Sequence, residues 1–126
     1  MSMFNHVQIK VKDLYISRNF YDRVMSKLGF KVVLDIENEV VGYGNNVHDM
    51  FEIRQADTVA PLSRNIHIAF NASCKKNVDD FYSIAIENGA SCNGKPGFRP
   101  EYESGYYAAF VIDPDGHNIE AVFSQK

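Results

Sequence analysis

Two stretches of this chain repeat one pattern at a fixed interval, and that repeat limits the fold more than any other feature. His67 follows His6 by 61 positions, and the pair Phe81-Tyr82 follows Phe20-Tyr21 by the same 61. Gly29 and Gly89, each placed to end a helix, keep the interval to within one residue. A period of this length marks one supersecondary unit used twice, so the two histidines occupy equivalent places in the two halves.

The local patterns say what the unit is. From Asn5 to Val11 apolar side chains fall at Val7, Ile9 and Val11 while His6, Gln8 and Lys10 alternate with them, the period of a half-buried strand. His6 therefore points away from the apolar face. Asp13 is placed to cap a helix whose Leu14, Tyr21, Val24, Met25 and Leu28 share one side, and Gly29 ends it. Lys31 to Ile36, Glu39 to Tyr43 and Asp49 to Arg54 then read as three strands, with turns at Glu37-Asn38 and Gly44-Asn45-Asn46. After a link broken by Pro61 the order restarts. Asn65 to Asn71 is a strand with His67 on its polar face, and a helix carries Val78, Phe81, Tyr82 and Ala85 on one side. Tyr106 to Ile112 and His117 to Phe123 form a hairpin through Asp113-Pro114-Asp115-Gly116. The segment from Asn93 to Gly105 reads as one long irregular loop, of the kind that covers a substrate or moves on the surface. The expected fold is α+β: a single domain over residues 1–126, with β-α-β-β-β units at about 4–56 and 64–124 enclosing a cleft between curved mixed sheets.

Composition narrows the function. A chain of 126 residues with 45% hydrophobic content supplies one core. The net charge of -3 and the lack of a Lys or Arg run argue against nucleic acid as partner, and no apolar stretch approaches the roughly 20 residues of a membrane span. With no signal-like start, the expected location is cytoplasmic. Cys74 and Cys92 form no metal or redox motif and read as free packing residues.

Each unit also carries a glutamate inside its last apolar strand, Glu52 in Met50-Phe51-Glu52-Ile53 and Glu120 in Asn118-Ile119-Glu120-Ala121. Alternation puts each on the face of its unit's histidine, so two imidazoles and two carboxylates are expected to face a common cleft. A carboxylate there needs compensation, and a divalent cation supplies it. Mixed nitrogen and oxygen ligation suits Zn, Ni, Co, Fe or Mn. His6, Glu52, His67 and Glu120 are thus the candidate metal ligands, with Glu120 or Glu52 as catalytic base. Lys10, Arg54, Arg99, Tyr102 and Tyr106 are candidates for touching a substrate. His48 and His117, beside turns, are expected to be solvated.

The paired units, His6-Val7 ahead of Asp13-Leu14, Phe20-Tyr21 ahead of Leu28-Gly29-Phe30, His67-Ile68-Ala69, and Asp113-Pro114-Asp115-Gly116 ahead of Ile119-Glu120 resemble the vicinal oxygen chelate superfamily. That superfamily includes glyoxalase I (lactoylglutathione lyase), fosfomycin-resistance thiol transferases, bleomycin-binding proteins and extradiol dioxygenases. His6, Glu52, His67 and Glu120 match the positions that ligate metal in glyoxalase I-like members. The resemblance implies a metal-dependent lyase or isomerase acting on a small substrate with vicinal oxygens, such as a methylglyoxal-thiol hemithioacetal. It also implies a homodimer, in which the site either closes within one chain or forms between the first unit of one copy and the second unit of the other. Lys10 stands where glyoxalase I of similar length has an arginine, and Arg54-Gln55-Ala56 where it has an asparagine, so glutathione is not assigned as the thiol. The alternatives are a drug-binding resistance protein and a metal-dependent thiol transferase of the same superfamily.

Overall fold

The computed structural model of the chain describes residues 3–124. The first unit runs β1 (His6–Val11), α1 (Leu14–Lys27), β2 (Lys31–Ile36), β3 (Val40–Asn46) and β4 (Asp49–Gln55). The second runs β5 (His67–Asn71), α2 (Lys75–Glu87), β6 (Ser91–Phe98), β7 (Tyr106–Ile112) and β8 (Asn118–Ser124). Each unit builds its own four-stranded sheet, ordered β1-β4-β3-β2 and β5-β8-β7-β6. In both, the first and last strands pair in parallel and the other neighbours pair antiparallel. The expected α+β arrangement of two βαβββ units is the one observed.

The helices form where the sequence supplies their ends. Asp13 Oδ1 accepts the Ile16 amide at 3.2 Å at the start of α1, and Gly29 follows its end at a φ of +86°. Phe20, Tyr21, Val24 and Met25 of α1 are buried with Ile9, Val11, Phe51 and Ile53 of its sheet. The same core takes in Val78, Phe81 and Ala85 of α2, since α1 packs against α2. Polar bonds reinforce this joint. The Tyr21 hydroxyl donates to Asp113 Oδ2 at 2.5 Å, in the hairpin between β7 and β8, and the Lys12 amide donates to Asp115 Oδ2. Asp113 in turn accepts the amides of Asp115 and His117, fixing the tight turn completed by Gly116 at a φ of +90°. The link between units is tied down as well: Ser63 Oγ accepts the Lys10 amide and the Ser63 amide donates to the Lys10 carbonyl, covering the outer edge of β1.

Four expectations are corrected. The segment from Asn93 to Gly105 is not one irregular loop, because β6 continues to Phe98. Two glycines and a proline hide this strand in the sequence, and its register against β7 shifts on either side of Gly94. β3 runs on through Gly44-Asn45-Asn46 rather than turning there; a Cβ on Gly44 would lie 2.1 Å from the Asp49 carbonyl oxygen, so this glycine serves close approach of backbones. Cys74 and Cys92 are exposed rather than packed, Cys74 occupying the N-cap of α2. His117 is 1% exposed, not solvated, because it precedes β8 on the face that Ile119 and Ala121 turn into the core.

Candidate metal and substrate site

The parallel pairings set the geometry of each half-site. In the first sheet Glu52 lies opposite Gln8, two residues beyond His6. In the second, Glu120 lies opposite Ala69, two residues beyond His67. The glutamates therefore hold the same register relative to their histidines, and the face each shares with its histidine is the one turned away from the helices.

On the second sheet the pair meets directly. His67 Nε2 is 2.9 Å from Glu120 Oε1, and Glu120 is only 3% exposed. The Tyr106 hydroxyl donates a short hydrogen bond to Glu120 Oε2. Burial, with that bond to Glu120, pushes the Tyr106 phenol up to about 12, so it remains a donor through the neutral range. Phe110, opposite Glu120 on β7, forms a small apolar cluster with Ala108, Val122 and Tyr106 beside these polar groups. Its ring centroid is 6.2 Å from that of His67 and 5.5 Å from the Arg99 guanidinium. Tyr102 packs edge-on against Tyr106 at 5.4 Å.

The first sheet is wired differently. Glu52, 6% exposed, accepts the side-chain amide of Gln8 at 2.8 Å. A Cβ on Gly42 would meet Met50 Sδ at 2.7 Å and Glu52 Cγ at 3.6 Å, so the floor around Glu52 is close-packed. His6 is exposed, and its Nδ1 donates to Asn5 Oδ1 at 2.8 Å while the Asn5 amide reaches His48 Nδ1 at 3.2 Å. A neutral His6 making this bond would present the lone pair of Nε2, the state a metal-binding imidazole requires. Lys10 lies on the same face as His6 and Gln8, and Arg54 pairs with Glu39 at 3.7 Å.

The four candidate ligands are thus divided between two sheets. Among the described residues no group of three or more His, Cys, Asp or Glu side chains stands close enough to hold a metal. A cavity of about 670 Å³ opens between the units, lined in part by Val7, Phe30, Tyr43, Phe51 and Phe70, but of the four only His67 reaches it. Within one chain the four do not converge, because the units join through their helices and the Tyr21–Asp113 contact; the other expected arrangement sets the first unit of one copy against the second unit of another. Gln8 and Asn5 escaped notice as partners of Glu52 and His6. The alternation of β1 already set Gln8 on the right face, and only the register with β4 shows what it bonds.

A family model described as the Glyoxalase/Bleomycin resistance protein/Dioxygenase superfamily matches residues 3–121. The chain belongs to this superfamily. Among solved structures, a glyoxalase/bleomycin resistance protein from Albidiferax ferrireducens is 30% identical with a TM-score of 0.85, over 97% of this chain and 99% of that one. A lactoylglutathione lyase from Agrobacterium tumefaciens is 20% identical with a TM-score of 0.69, over 98% and 94% of the two chains. A glyoxalase-related enzyme from Fulvimarina pelagi is 18% identical with a TM-score of 0.73, over 98% and 88%. At such identities the last two show a shared fold. No curated protein matches the sequence. Among the described residues no helix is long and apolar enough to cross a membrane.

Proposed function

We propose that the protein is a metal-dependent glyoxalase-like lyase or isomerase whose site closes between two copies of the chain. The observation that carries this reading is the pair of nearly buried glutamates held in matching register beside matching histidines, one set per sheet. The donor set fits a divalent cation. Glu52 has an uncharged amide as its hydrogen-bond partner, and a carboxylate so far removed from water gains from a positive charge. In an isologous dimer His6 and Glu52 would meet His67 and Glu120 of the partner subunit, giving two equivalent sites that bind Zn, Ni, Co, Fe or Mn.

When bound, such a cation supplies Lewis-acid polarisation of two neighbouring substrate oxygens. The chain supplies the proton traffic. Glu120 takes a proton from the carbon beside those oxygens and returns it to the neighbouring one, a service worth roughly 10²- to 10⁴-fold in rate. Tyr106 holds one of its oxygens and so aims it, while His67, 2.9 Å from the other, would exchange that contact for the cation. Glu52, fixed by Gln8, stands on the opposite side as ligand and second carboxylate. The substrate class is a small molecule with vicinal oxygens, of which a methylglyoxal-thiol hemithioacetal is one.

A second reading, a binding protein for an apolar planar drug, draws on the 670 Å³ cavity and its aromatic lining. The two are separated by metal analysis of full-length protein purified without chelator, followed by a methylglyoxal-glutathione assay with added Ni or Zn. The enzyme reading expects stoichiometric metal, turnover, and a folded E120Q variant that loses both activity and metal affinity. It also expects that mixing a His6→Ala, Glu52→Gln chain with a His67→Ala, Glu120→Gln chain restores about a quarter of the sites, since half the dimers then carry one intact site. Full activity in E120Q would refute the assigned base. No metal uptake together with tight bleomycin binding would favour the drug-binding reading.

A further inference from the structure

We infer that the second half-site carries a carboxylate-binding subsite built on Arg99, so that the substrate bears a carboxylate in addition to its vicinal oxygens. This rests on the enzyme reading for the word substrate, while the subsite itself stands on its own geometry. β6 bulges on both sides of Gly94, where its register against β7 shifts. Arg99 lies just past its end and folds back against Gly94 and Gly97. The guanidinium sits over the Phe110 ring at 5.5 Å, and Nη2 donates to the Lys95 carbonyl at 2.6 Å. Glycines make the room: a Cβ at Gly94 would stand 3.2 Å from Nη2 and 2.9 Å from Phe110 Cδ1, and one at Gly97 would stand 3.0 Å from Nη1. The side chain is therefore held over an aromatic ring, with one backbone acceptor occupying part of a five-donor fork.

What it lacks is an acid. Among the described residues Arg99 forms no ion pair, whereas Arg18 and Arg54 both do. The nearby carboxylates are otherwise engaged, Glu120 by His67 and Tyr106 and Glu103 by the Ser124 hydroxyl. A guanidinium over an apolar ring, with donors left over and no ion-pair partner among the described residues, suits a planar two-oxygen anion, which the fork meets bidentately. Phe110 touches both the guanidinium and the His67 imidazole, so a carboxylate on Arg99 places the rest of a small molecule along that ring and toward the proposed metal ligands.

The test uses benzoate and its uncharged isostere benzamide as probes, titrated calorimetrically into metal-free full-length protein. Wild type should bind benzoate the more tightly. R99Q should lose roughly tenfold to a hundredfold in benzoate affinity with benzamide unchanged, and R99K, which keeps the charge without the fork, should fall between them. Melting curves identify any variant whose fold fails; the benzoate preference of wild type, weakened by added salt, then decides the matter. Equal binding of both probes to wild type, or undiminished benzoate affinity in R99Q, overturns the subsite. Benzoate discrimination in a protein that takes up no metal would leave the subsite standing and sink the enzyme reading.

Discussion

The two glutamates occupy matched positions but keep different company, and the difference comes down to one residue. Gln8 stands opposite Glu52 and Ala69 stands opposite Glu120. An amide can reach across the strand pair and a methyl cannot, so Glu120 turns to His67 and Tyr106 while Glu52 is served from its own register partner. Replacing Gln8 by Leu should leave a nearly buried carboxylate oxygen without its donor and cost about 1–3 kcal/mol. Urea denaturation measures it, and an unchanged midpoint would mean that water already satisfies Glu52. The shared faces of His6 with Glu52 and of His67 with Glu120 were legible in the sequence because strand alternation assigns faces without knowledge of neighbours. Their hydrogen-bond partners were not, since these depend on the strand-to-strand register and on which amide lies opposite.

Among the elements, the legible ones were those with strong local signals. α1 has a capping aspartate, an apolar stripe and a terminal glycine, and it formed where these predict. β6 has none of the usual strand signals, because bulges break its alternation and its glycines serve to make room for Arg99 and Phe110. The same physics hid the true extent of β3, where Gly44 permits the contact with Asp49 that a side chain would block. Gly44→Ala should therefore cost about 1–3 kcal/mol by overpacking against backbone, more than the few tenths expected of an exposed turn glycine. Thermal unfolding checks this. A variant as stable as wild type would place Gly44 in a turn after all.

In the whole molecule the joint between units depends on a buried phenol. Tyr21 is fully buried and donates to Asp113 92 positions away, and burial first, then the Asp113 charge, raises its ionisation well above the ordinary range. Its contribution to stability is complete below the unfolded pKa of about 10. Above that the unfolded chain releases the proton while the native one retains it, so stability falls as pH rises. Tyr43 and Tyr106 act in the same sense. Tyr21→Phe should cost about 1–2 kcal/mol at neutral pH and flatten the alkaline loss, as read from melting temperatures between pH 8 and 11.5. A parallel pair of curves would show that Tyr21 ionises as readily in the native state as in the unfolded one. The repeat announced both halves, but it could not announce this joint, because Tyr82, the counterpart of Tyr21, is only partly buried at the edge of the core.

The unequal neighbours of the two glutamates bear on stereochemistry. Under the proposed reaction a prochiral carbon would lie between two carboxylates of which one is aimed by a tyrosine and the other is tethered by a neutral amide. Such a pocket has distinguishable sides. A proton returned from the Glu120 side alone would reach one face of that carbon, and the product would leave as a single enantiomer.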